Sequence, residues 1–367
     1  MINIKESASI KINQDINNLK KNGKKTTILS LGEAFFNLPD YGIKKIFKSG
    51  YHYSDSRGVP SLRSKLSNLY KSKYKVPVDP DNEIIISAGS KILTYMTFLL
   101  LLKKDDNVLS FDPSWLSYED QIKLVGAKIK YIPINSDLDL LRKNITKKTK
   151  ILIINNPNNP CGIFFEENKL EKIYKICKEK KIYILSDEAY SDFIPKDEKF
   201  CSIGHFDKNK KNSIIINSIS KNFGMSGWRI GYVISNKKII KKLLILNQQL
   251  ITCAPTLLQI YIDKYFNKIL KNNKTEIQKI LTKRRKINLF LKDNNFSFIN
   301  AHSTFYIFLK TNKNNIKFSK KLITKYGIST VPGKFYGKNS GKYIRISIGV
   351  ESFKKIIKSL KIIQKLI

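Results

Sequence analysis

Cysteine, histidine and long apolar runs are scarce in this chain of 367 residues. Its four cysteines are far apart and form no C-x-x-C pair, which argues against a disulfide framework or a zinc site and indicates a reducing compartment. The longest apolar stretch, residues 96–102, is too short to cross a bilayer. Residues 1–6 lack the apolar run of a secretory signal. The sequence therefore predicts a cytoplasmic protein with no membrane partner.

Acidic residues are also few, 29 against 68 lysines and arginines, which gives a formal net charge of +39. One interpretation of this charge is a polyanionic partner such as a nucleic acid. The other is a biased composition, because the lysines are spread along the whole chain and asparagine and isoleucine are abundant too. No helix-turn-helix or zinc-finger spacing occurs, and the thirty residues before Leu31 are too few for a winged helix. We therefore expect no nucleic-acid partner.

Strand and helix patterns alternate along most of the chain. Apolar runs predict strands at 83–87, 107–111, 128–134, 150–155, 182–188, 213–218, 229–235, 304–309 and 342–348. Helical periodicity predicts helices at 90–103, 115–125, 167–180, 237–260 and 275–293. A last, C-terminal helix has a core-facing stripe formed by Phe353, Ile356, Leu360 and Ile363. Such alternation indicates an α/β layered fold with a largely parallel sheet.

Polar segments follow five of the predicted strands. They are residues 87–91, 111–115, 155–162, 186–190 and 218–221. In parallel sheets, ligands bind beyond the carboxyl ends of the strands. The sequence therefore predicts one ligand site at this edge of the sheet.

The segment around Lys221 carries the sharpest chemical signal. Ser218 and Ser220 precede this lysine, and Arg229 follows eight residues later. An amine in this setting can form an imine with an aldehyde, while the hydroxyls and the guanidinium can hold a phosphate dianion. A pyridine aldehyde with a phosphate tail meets both conditions. Its phosphate would also bind backbone N–H groups at a helix start, which Gly89-Ser90-Lys91 supplies.

The sequence also offers candidate residues for the other contacts that such a cofactor and its substrate require. Asp187 would keep the pyridine nitrogen protonated, so that the ring acts as an electron sink, or would cap a turn. Asn159 and Tyr190 would hydrogen-bond the ring hydroxyl. Trp115 would stack on the ring or lie in the core. Arg345 is costly to bury on an apolar strand unless it binds an anion, either the α-carboxylate of an amino acid or a distant acidic side chain.

Together these motifs resemble the fold-type-I pyridoxal-phosphate enzymes, specifically the class I/II aminotransferases of the aspartate aminotransferase superfamily. Residues 218–232 resemble the cofactor-lysine signature, and residues 187–190 resemble the D-x-x-Y motif. Residues 156–162 resemble N-P-x-N-P-T-G, with cysteine in place of threonine, and residues 331–345 resemble the segment that ends at the carboxylate-binding arginine. Tyr53 resembles the tyrosine that reaches the phosphate of the partner subunit. The similarity extends from about residue 30 to the end.

The resemblance implies a three-layer aspartate-aminotransferase-like fold. Its large domain, residues 41–275, would contain a mixed, mostly parallel sheet, and residues 1–40 and 276–367 would form a smaller α+β domain. The implied protein is a homodimer with pyridoxal 5′-phosphate as cofactor, amino acid and keto acid substrates, and no metal. Its catalytic residues would be Lys221, which forms the Schiff base and moves the Cα proton, together with Asp187 and Tyr190. Gly32, Asn159 and Arg345 would bind the substrate.

One alternative keeps the cofactor but changes the reaction. A lyase that eliminates or decarboxylates an amino acid would use the same cofactor-binding residues. Two segments depart from the family pattern: residues 32–36 read G-E-A-F-F where G-E-P-D-F is usual, and residues 301–304 read A-H-S-T where P-x-G-A is frequent. His302 in the second segment would either line the substrate entrance or lie in a surface loop. Both departures concern the substrate rather than the cofactor.

Overall fold

The computed structural model describes residues 6–367; residues 1–5, which contribute to the expected absence of a signal sequence, lie outside the described part. The strands are β1 (Thr27–Ile28), β2 (Ile84–Ser87), β3 (Asn107–Asp112), β4 (Lys128–Pro133), β5 (Thr149–Asn155), β6 (Tyr183–Asp187), β7 (Ser213–Ser218), β8 (Gly231–Ile234), β9 (Tyr306–Lys310), β10 (Ile328–Ser329), β11 (Val331–Pro332) and β12 (Tyr343–Ser347). The helices are α1 (Ala8–Lys21), α2 (Pro60–Tyr74), α3 (Ser90–Leu101), α4 (Ser117–Leu124), α5 (Leu138–Asn144), α6 (Glu167–Glu179), α7 (Ile219–Asn222), α8 (Lys237–Leu250), α9 (Thr256–Asp293), α10 (Asn315–Tyr326) and α11 (Phe353–Gln364).

The main sheet has seven strands in the order β2-β8-β7-β6-β5-β3-β4. Strands β4, β3, β5, β6 and β7 are parallel to one another, whereas β8 pairs antiparallel with both β7 and β2. This confirms the expected mixed, mostly parallel sheet. Because helices cover both faces, the central strands are apolar runs rather than alternating patterns. In β7, Ile214 and Ile216 pack into the core on one face and Ile215 into the core on the other.

A third core, the terminal core, surrounds two small sheets. Strands β11, β12 and β9 form an antiparallel sheet, and β1 pairs in parallel with β10, so that Thr27 lies opposite Ile328. Residues from both ends of the chain fill this core, including Leu29, Ile344 and Leu360. The packing therefore brings residues 27–36 against the C-terminal segment. Among residues 6–367, no helix is long and apolar enough to span a bilayer.

Three sequence-based expectations need correction. The helix predicted at 237–260 ends at Leu250, and α9 begins after Pro255, because proline lacks the N–H group that a continuous helix needs. The helix predicted at 275–293 belongs to the second part of α9, which is kinked at Tyr265. In α11, Phe353 is 41% exposed while the rest of the predicted stripe is buried, because it occupies the first position of the helix. Helices α5, α7 and α10 were not predicted.

Candidate active site

A pocket lies where the carboxyl ends of β5, β6 and β7 meet residues from β9 and β12. Most of the residues expected at the site line it: Gly32, Ser90, Lys91, Trp115, Asn159, Asp187, Tyr190, Ser218, Ser220, Lys221, Arg229 and Arg345. They come from segments far apart in sequence, and the sheet edge brings them together. The arrangement is the one expected for a ligand site of a parallel α/β sheet.

Lys221 enters this pocket from the short helix α7, directly after the fully buried strand β7. Its Nζ atom donates a hydrogen bond to the carbonyl oxygen of Gly32 at 2.6 Å. Burial lowers the pKa of Lys221 to about 8; the cations Arg229 and Arg345 lower it as well, while nearby carboxylates oppose the shift. A larger fraction of this amine is therefore neutral, and nucleophilic, near physiological pH than for a surface lysine.

Asp187 is the last residue of β6 and is buried. Its Oδ2 atom accepts a hydrogen bond from the Tyr118 hydroxyl at 2.6 Å, and its Oδ1 atom accepts one from the Ala189 amide at 3.2 Å. Burial raises the pKa of Asp187, and both hydrogen bonds oppose that rise. The side chain thus caps the turn and also lines the pocket, so the two interpretations of Asp187 are compatible. A carboxyl group held this way can pair with a protonated ring nitrogen.

One end of the pocket collects donors suited to a phosphate. Helix α3 begins at Ser90, and Arg229 Nη1 lies 3.4 Å from Ser220 Oγ and 2.8 Å from the carbonyl oxygen of Ser226. Gly89 has φ +96°, and a Cβ atom built there would lie 2.6 Å from Arg229 Nη2. Within residues 6–367, no carboxylate forms an ion pair with Arg229. Helix N–H groups, serine hydroxyls and a guanidinium make a donor set that fits a phosphate dianion.

Arg345 lies in β12 and is only 3% exposed. Its Nη1 atom donates to Asn159 Oδ1 at 3.1 Å, and its Nη2 atom donates to the carbonyl oxygen of Ser30 at 2.6 Å. In the described part of the chain, its buried Nε atom has no hydrogen-bond partner and no acidic side chain pairs with the guanidinium. The alternative of a distant acidic partner is therefore not observed. A buried guanidinium that has no acidic partner is suited to bind an anionic ligand.

Trp115 is half-buried, lines the pocket and packs edge-on against Tyr118 at a centroid distance of 5.2 Å. Lys91 Nζ lies 5.3 Å from the centroid of the Trp115 ring. Burial is the main cause of the lowered pKa of Lys91, and the nearby Arg229 adds to it. Trp115 thus combines partial core packing with a face on the pocket.

Two residues considered from the sequence lie elsewhere. Tyr53 is 85% exposed and does not line the pocket of its own chain. His302 is exposed and lines a separate surface cleft with Glu198 and Arg285. Of the two interpretations of His302, the structure supports the surface loop. Gly89 does not line the pocket itself but adjoins Ser90, which does.

Four lining residues lie outside the segments that the sequence analysis predicted for the site: Ser9, Asn13, Leu116 and Tyr306. Asn155 and Ala189 also line the pocket and lie within the predicted segments 155–162 and 186–190, but no role was assigned to them. Ser9 and Asn13 belong to α1 and share one face at a spacing of four residues. That spacing was visible in the sequence, but nothing indicated that the helix covers the pocket. Tyr306 starts β9, and its apolar surroundings predicted only a core strand.

A family model described as "Aminotransferase class I and II" matches residues 9–355. The chain belongs to this family. It is an aminotransferase, and the relatives compared below give no support to the lyase alternative.

This aminotransferase is 36% identical over 354 residues to the (5-formylfuran-3-yl)methyl phosphate transaminase of Methanocaldococcus jannaschii, a match that covers 95% of this chain and 93% of that protein. It is 31% identical to the aspartate aminotransferase of Sulfurisphaera tokodaii, over 92% of this chain and 90% of the relative.

Comparison with solved structures leads to the same family. A Methanococcus jannaschii protein, described as similar in its active site to kynurenine aminotransferases, superposes with a TM-score of 0.90 at 34% identity, covering 99% of this chain and 98% of the other. The Thermotoga maritima aspartate aminotransferase gives a TM-score of 0.91 at 26% identity, over 99% and 97% of the two chains. The aminotransferase therefore has the aspartate aminotransferase fold.

Proposed function

We propose that this aminotransferase binds pyridoxal 5′-phosphate in the pocket described above and transfers an amino group between an amino acid and a keto acid or other carbonyl compound. The observation that carries the proposal is the position of one half-buried lysine, Lys221, in a single pocket with the buried carboxylate of Asp187 and the buried guanidinium of Arg345. An amine, an anion and a cation at fixed positions are the groups that this reaction needs.

The residues present fit the cofactor. Ser90, Ser218, Ser220 and Arg229, with the N–H groups of the α3 N-terminus next to Gly89 and Lys91, would hold its phosphate. Asp187 would pair with the ring nitrogen, Asn159 and Tyr190 would bind the ring hydroxyl, and Trp115 would stack on the ring. When bound, pyridoxal phosphate supplies an aldehyde for the amine and a ring that accepts electrons as the Cα–H bond ionises.

The proton transfers are assigned to Lys221. In its neutral form the Nζ atom is a nucleophile. As a free amine it would also take the proton from the substrate Cα as a general base. The same atom then returns the proton to carbon as a general acid. The low pKa of Lys221, about 8, supports both roles because a general acid–base group works best with a pKa near the operating pH.

Arg345 would orient the substrate by binding its α-carboxylate. Its Nη atoms are already held by Asn159 and by the carbonyl oxygen of Ser30, so the guanidinium plane is fixed before substrate arrives. Gly32 lies beside it, since a Cβ atom at that position would be 3.9 Å from Arg345 Nη2. A prepositioned cation of this kind places the Cα–H bond near Lys221 at little cost in side-chain entropy.

The remaining features of the proposal concern assembly. We assign residues 41–275 to a large domain and residues 1–40 with 276–367 to a small one, supported by the separate terminal core. A homodimer with Tyr53 reaching the partner's phosphate site is supported by the exposed aromatic side chains Phe47, Tyr51 and Tyr53. A cytoplasmic location is supported by four free cysteines.

The visible absorption spectrum tests the cofactor proposal. Purified protein that has been mixed with pyridoxal phosphate and then freed of unbound cofactor by gel filtration is expected to show a yellow band that is absent in Lys221→Ala. Adding amino acids one at a time should bleach the band with the true donor and leave the pyridoxamine form of the cofactor. A band of equal strength in Lys221→Ala, or no band at all, would refute the proposal.

A further inference from the structure

We propose that Tyr306 is a positioning residue for this reaction: its hydroxyl donates a hydrogen bond to Tyr190 and thereby directs the Tyr190 proton toward the ring oxygen of the cofactor. The proposal rests on the proposed function and assigns a role to a residue that the sequence motifs do not include.

The two hydroxyl oxygens lie 2.9 Å apart, within hydrogen-bonding distance. Both side chains are buried and both line the pocket. Their rings meet at 75° with centroids 5.6 Å apart, and the rings of Phe193 and Phe305 pack against Tyr190 on the side of the terminal core. Bulk water therefore has little access to compete for this hydrogen bond.

The direction of the hydrogen bond follows from proton counting. A phenol carries one proton, so Tyr190 can donate either to Tyr306 or to a ligand in the pocket, but not to both. Tyr306 is the hydrogen-bond partner that the described residues offer to the Tyr190 hydroxyl. Once the Tyr190 proton is given to the cofactor, the bond between the two tyrosines persists only if Tyr306 donates.

Arg345 favours Tyr306 as the donor. Its guanidinium carbon lies 4.4 Å from the centroid of the Tyr306 ring. A cation over the face of a phenol stabilises negative charge on it, which makes its hydroxyl a better donor. Burial raises the pKa of Tyr306, and Arg345 opposes that rise.

Gly32 provides the space that this geometry needs. A Cβ atom at residue 32 would lie 3.1 Å from the Tyr306 hydroxyl, closer than an ordinary van der Waals contact. Any side chain at position 32 would therefore press on the Tyr306 hydroxyl. This position also supplies the carbonyl oxygen that accepts from Lys221.

The test is a pH titration of the visible absorption of the cofactor-loaded protein. A Tyr190 hydroxyl that donates to the ring oxygen favours the deprotonated form of the chromophore, and a donor behind Tyr190 strengthens that bond. Tyr306→Phe keeps the ring under Arg345 and removes only the hydroxyl. We expect the titration midpoint to rise by about 0.5–1 pH unit, the equivalent of one net hydrogen bond.

Tyr336→Phe is the matched control. The Tyr336 ring also lies near Arg345, at 5.3 Å from the guanidinium carbon. Its hydroxyl is buried and has no hydrogen-bond partner within residues 6–367. Removing it should leave the midpoint unchanged. An equal rise in Tyr336→Phe would mean that any lost hydroxyl near Arg345 has this effect, which would overturn the proposal.

A double variant separates positioning from general electrostatics. Tyr190→Phe should raise the midpoint more than Tyr306→Phe, and adding Tyr306→Phe to it should cause no further rise, because Tyr306 acts through Tyr190. Additive shifts, or no shift in Tyr306→Phe while the wild type titrates normally, would overturn this proposal alone. A wild type without a visible band would instead show that the cofactor proposal itself is wrong.

Discussion

The Nζ atom of Lys221 donates a hydrogen bond to the carbonyl oxygen of Gly32, 189 positions away in the sequence. The bond joins the carboxyl edge of the main sheet to the segment that follows β1. It holds the half-buried Lys221 amine at one point of the pocket. Burial there is the main cause of the lowered pKa of Lys221.

This pKa leads to a prediction for the cofactor-free protein. A neutral amine attacks an aldehyde, whereas an ammonium does not, so covalent labelling of Lys221 should follow its deprotonation. The rate of labelling by pyridoxal phosphate, trapped with borohydride and mapped by mass spectrometry, should rise with a midpoint near pH 8. A short lysine-containing peptide in the same sample serves as the control, since an ordinary lysine has a pKa of about 10.4 and its labelling midpoint lies correspondingly higher. A Lys221 midpoint near that of the peptide lysine contradicts the prediction.

A second prediction concerns Gly89. An alanine there must adopt φ +96° and would place its Cβ atom 2.6 Å from Arg229 Nη2. The strain and the displaced guanidinium should lower the affinity for pyridoxal phosphate by at least roughly tenfold, which corresponds to about 1.4 kcal/mol. Equilibrium dialysis of the variant against the cofactor measures this. Gly227→Ala, in the same loop as Arg229 and with nothing within 4 Å of its Cβ atom, should bind as the wild type does. Equal losses in the two variants would argue against a steric cause.

The carboxylate role of Arg345 can be tested with Arg345→Lys. Lysine keeps the charge but loses the planar fork that binds a carboxylate with two hydrogen bonds. We expect kcat/KM for the amino acid donor to fall by roughly 10- to 100-fold, since a charge-assisted hydrogen bond contributes about 1.5–3 kcal/mol.

An amine without a carboxylate provides the control for that variant. Its slow reaction with the cofactor-loaded protein should be nearly the same in the wild type and in Arg345→Lys. Arg285→Lys, at an exposed position in the separate surface cleft, should leave both reactions unaffected. If Arg345→Lys slows the amine as much as the amino acid, Arg345 acts on the fold rather than on the substrate.

Glu188, next to Asp187 but turned into the core, predicts a pH-dependent stability. Burial raises its pKa to about 7, although Ser202, Ser186 and the Ile203 amide donate hydrogen bonds to Oε1. Because the folded state holds this proton more tightly than the unfolded state, its contribution to stability is present below about pH 4.5 and is lost as pH rises to about 7. The loss amounts to roughly 3 kcal/mol.

Glu188→Gln keeps an oxygen acceptor for the three donors to Oε1 and cannot ionise. It loses the Oε2 acceptor of the Tyr70 hydroxyl, a loss that is the same at every pH in this range. Urea unfolding at several pH values should show that the wild type loses stability relative to this variant between about pH 4.5 and 7. Glu166→Gln, at an exposed position, should follow the wild-type profile. Parallel profiles for Glu188→Gln and the wild type would show that Glu188 does not titrate in this range.

The sequence predicted the sheet and the residues at its carboxyl edge because both depend on local signals. A buried strand followed at once by polar side chains, as at Asp187 and Lys221, locates a site without any knowledge of distant contacts. Ser9, Asn13 and Tyr306 carry no such signal. They reach the pocket only because β1 pairs with β10 and β9 pairs with β12, pairings between segments far apart in the chain.

Helix boundaries were less predictable for a related reason. Apolar periodicity runs through residues 237–260, but Pro255 interrupts it and α9 begins directly after this proline. Phe353 has the spacing of a core residue, yet the first buried residue of the stripe is Ile356, one turn later. Periodicity identifies a face of a helix but does not show how far along that face the core extends.

The 38-residue helix α9 also links the unfolding of two parts of the molecule. α9 is kinked at Tyr265, and the helix that continues from the kink to Asp293 places Ile269 in a core against the main sheet. The same helix places Ile277, Ile280, Leu281, Ile287 and Leu291 in the terminal core. Loss of either core would leave half of a continuous helix without the packing that supports it. The two regions are therefore thermodynamically coupled, and calorimetry of the full chain should record one cooperative transition rather than two.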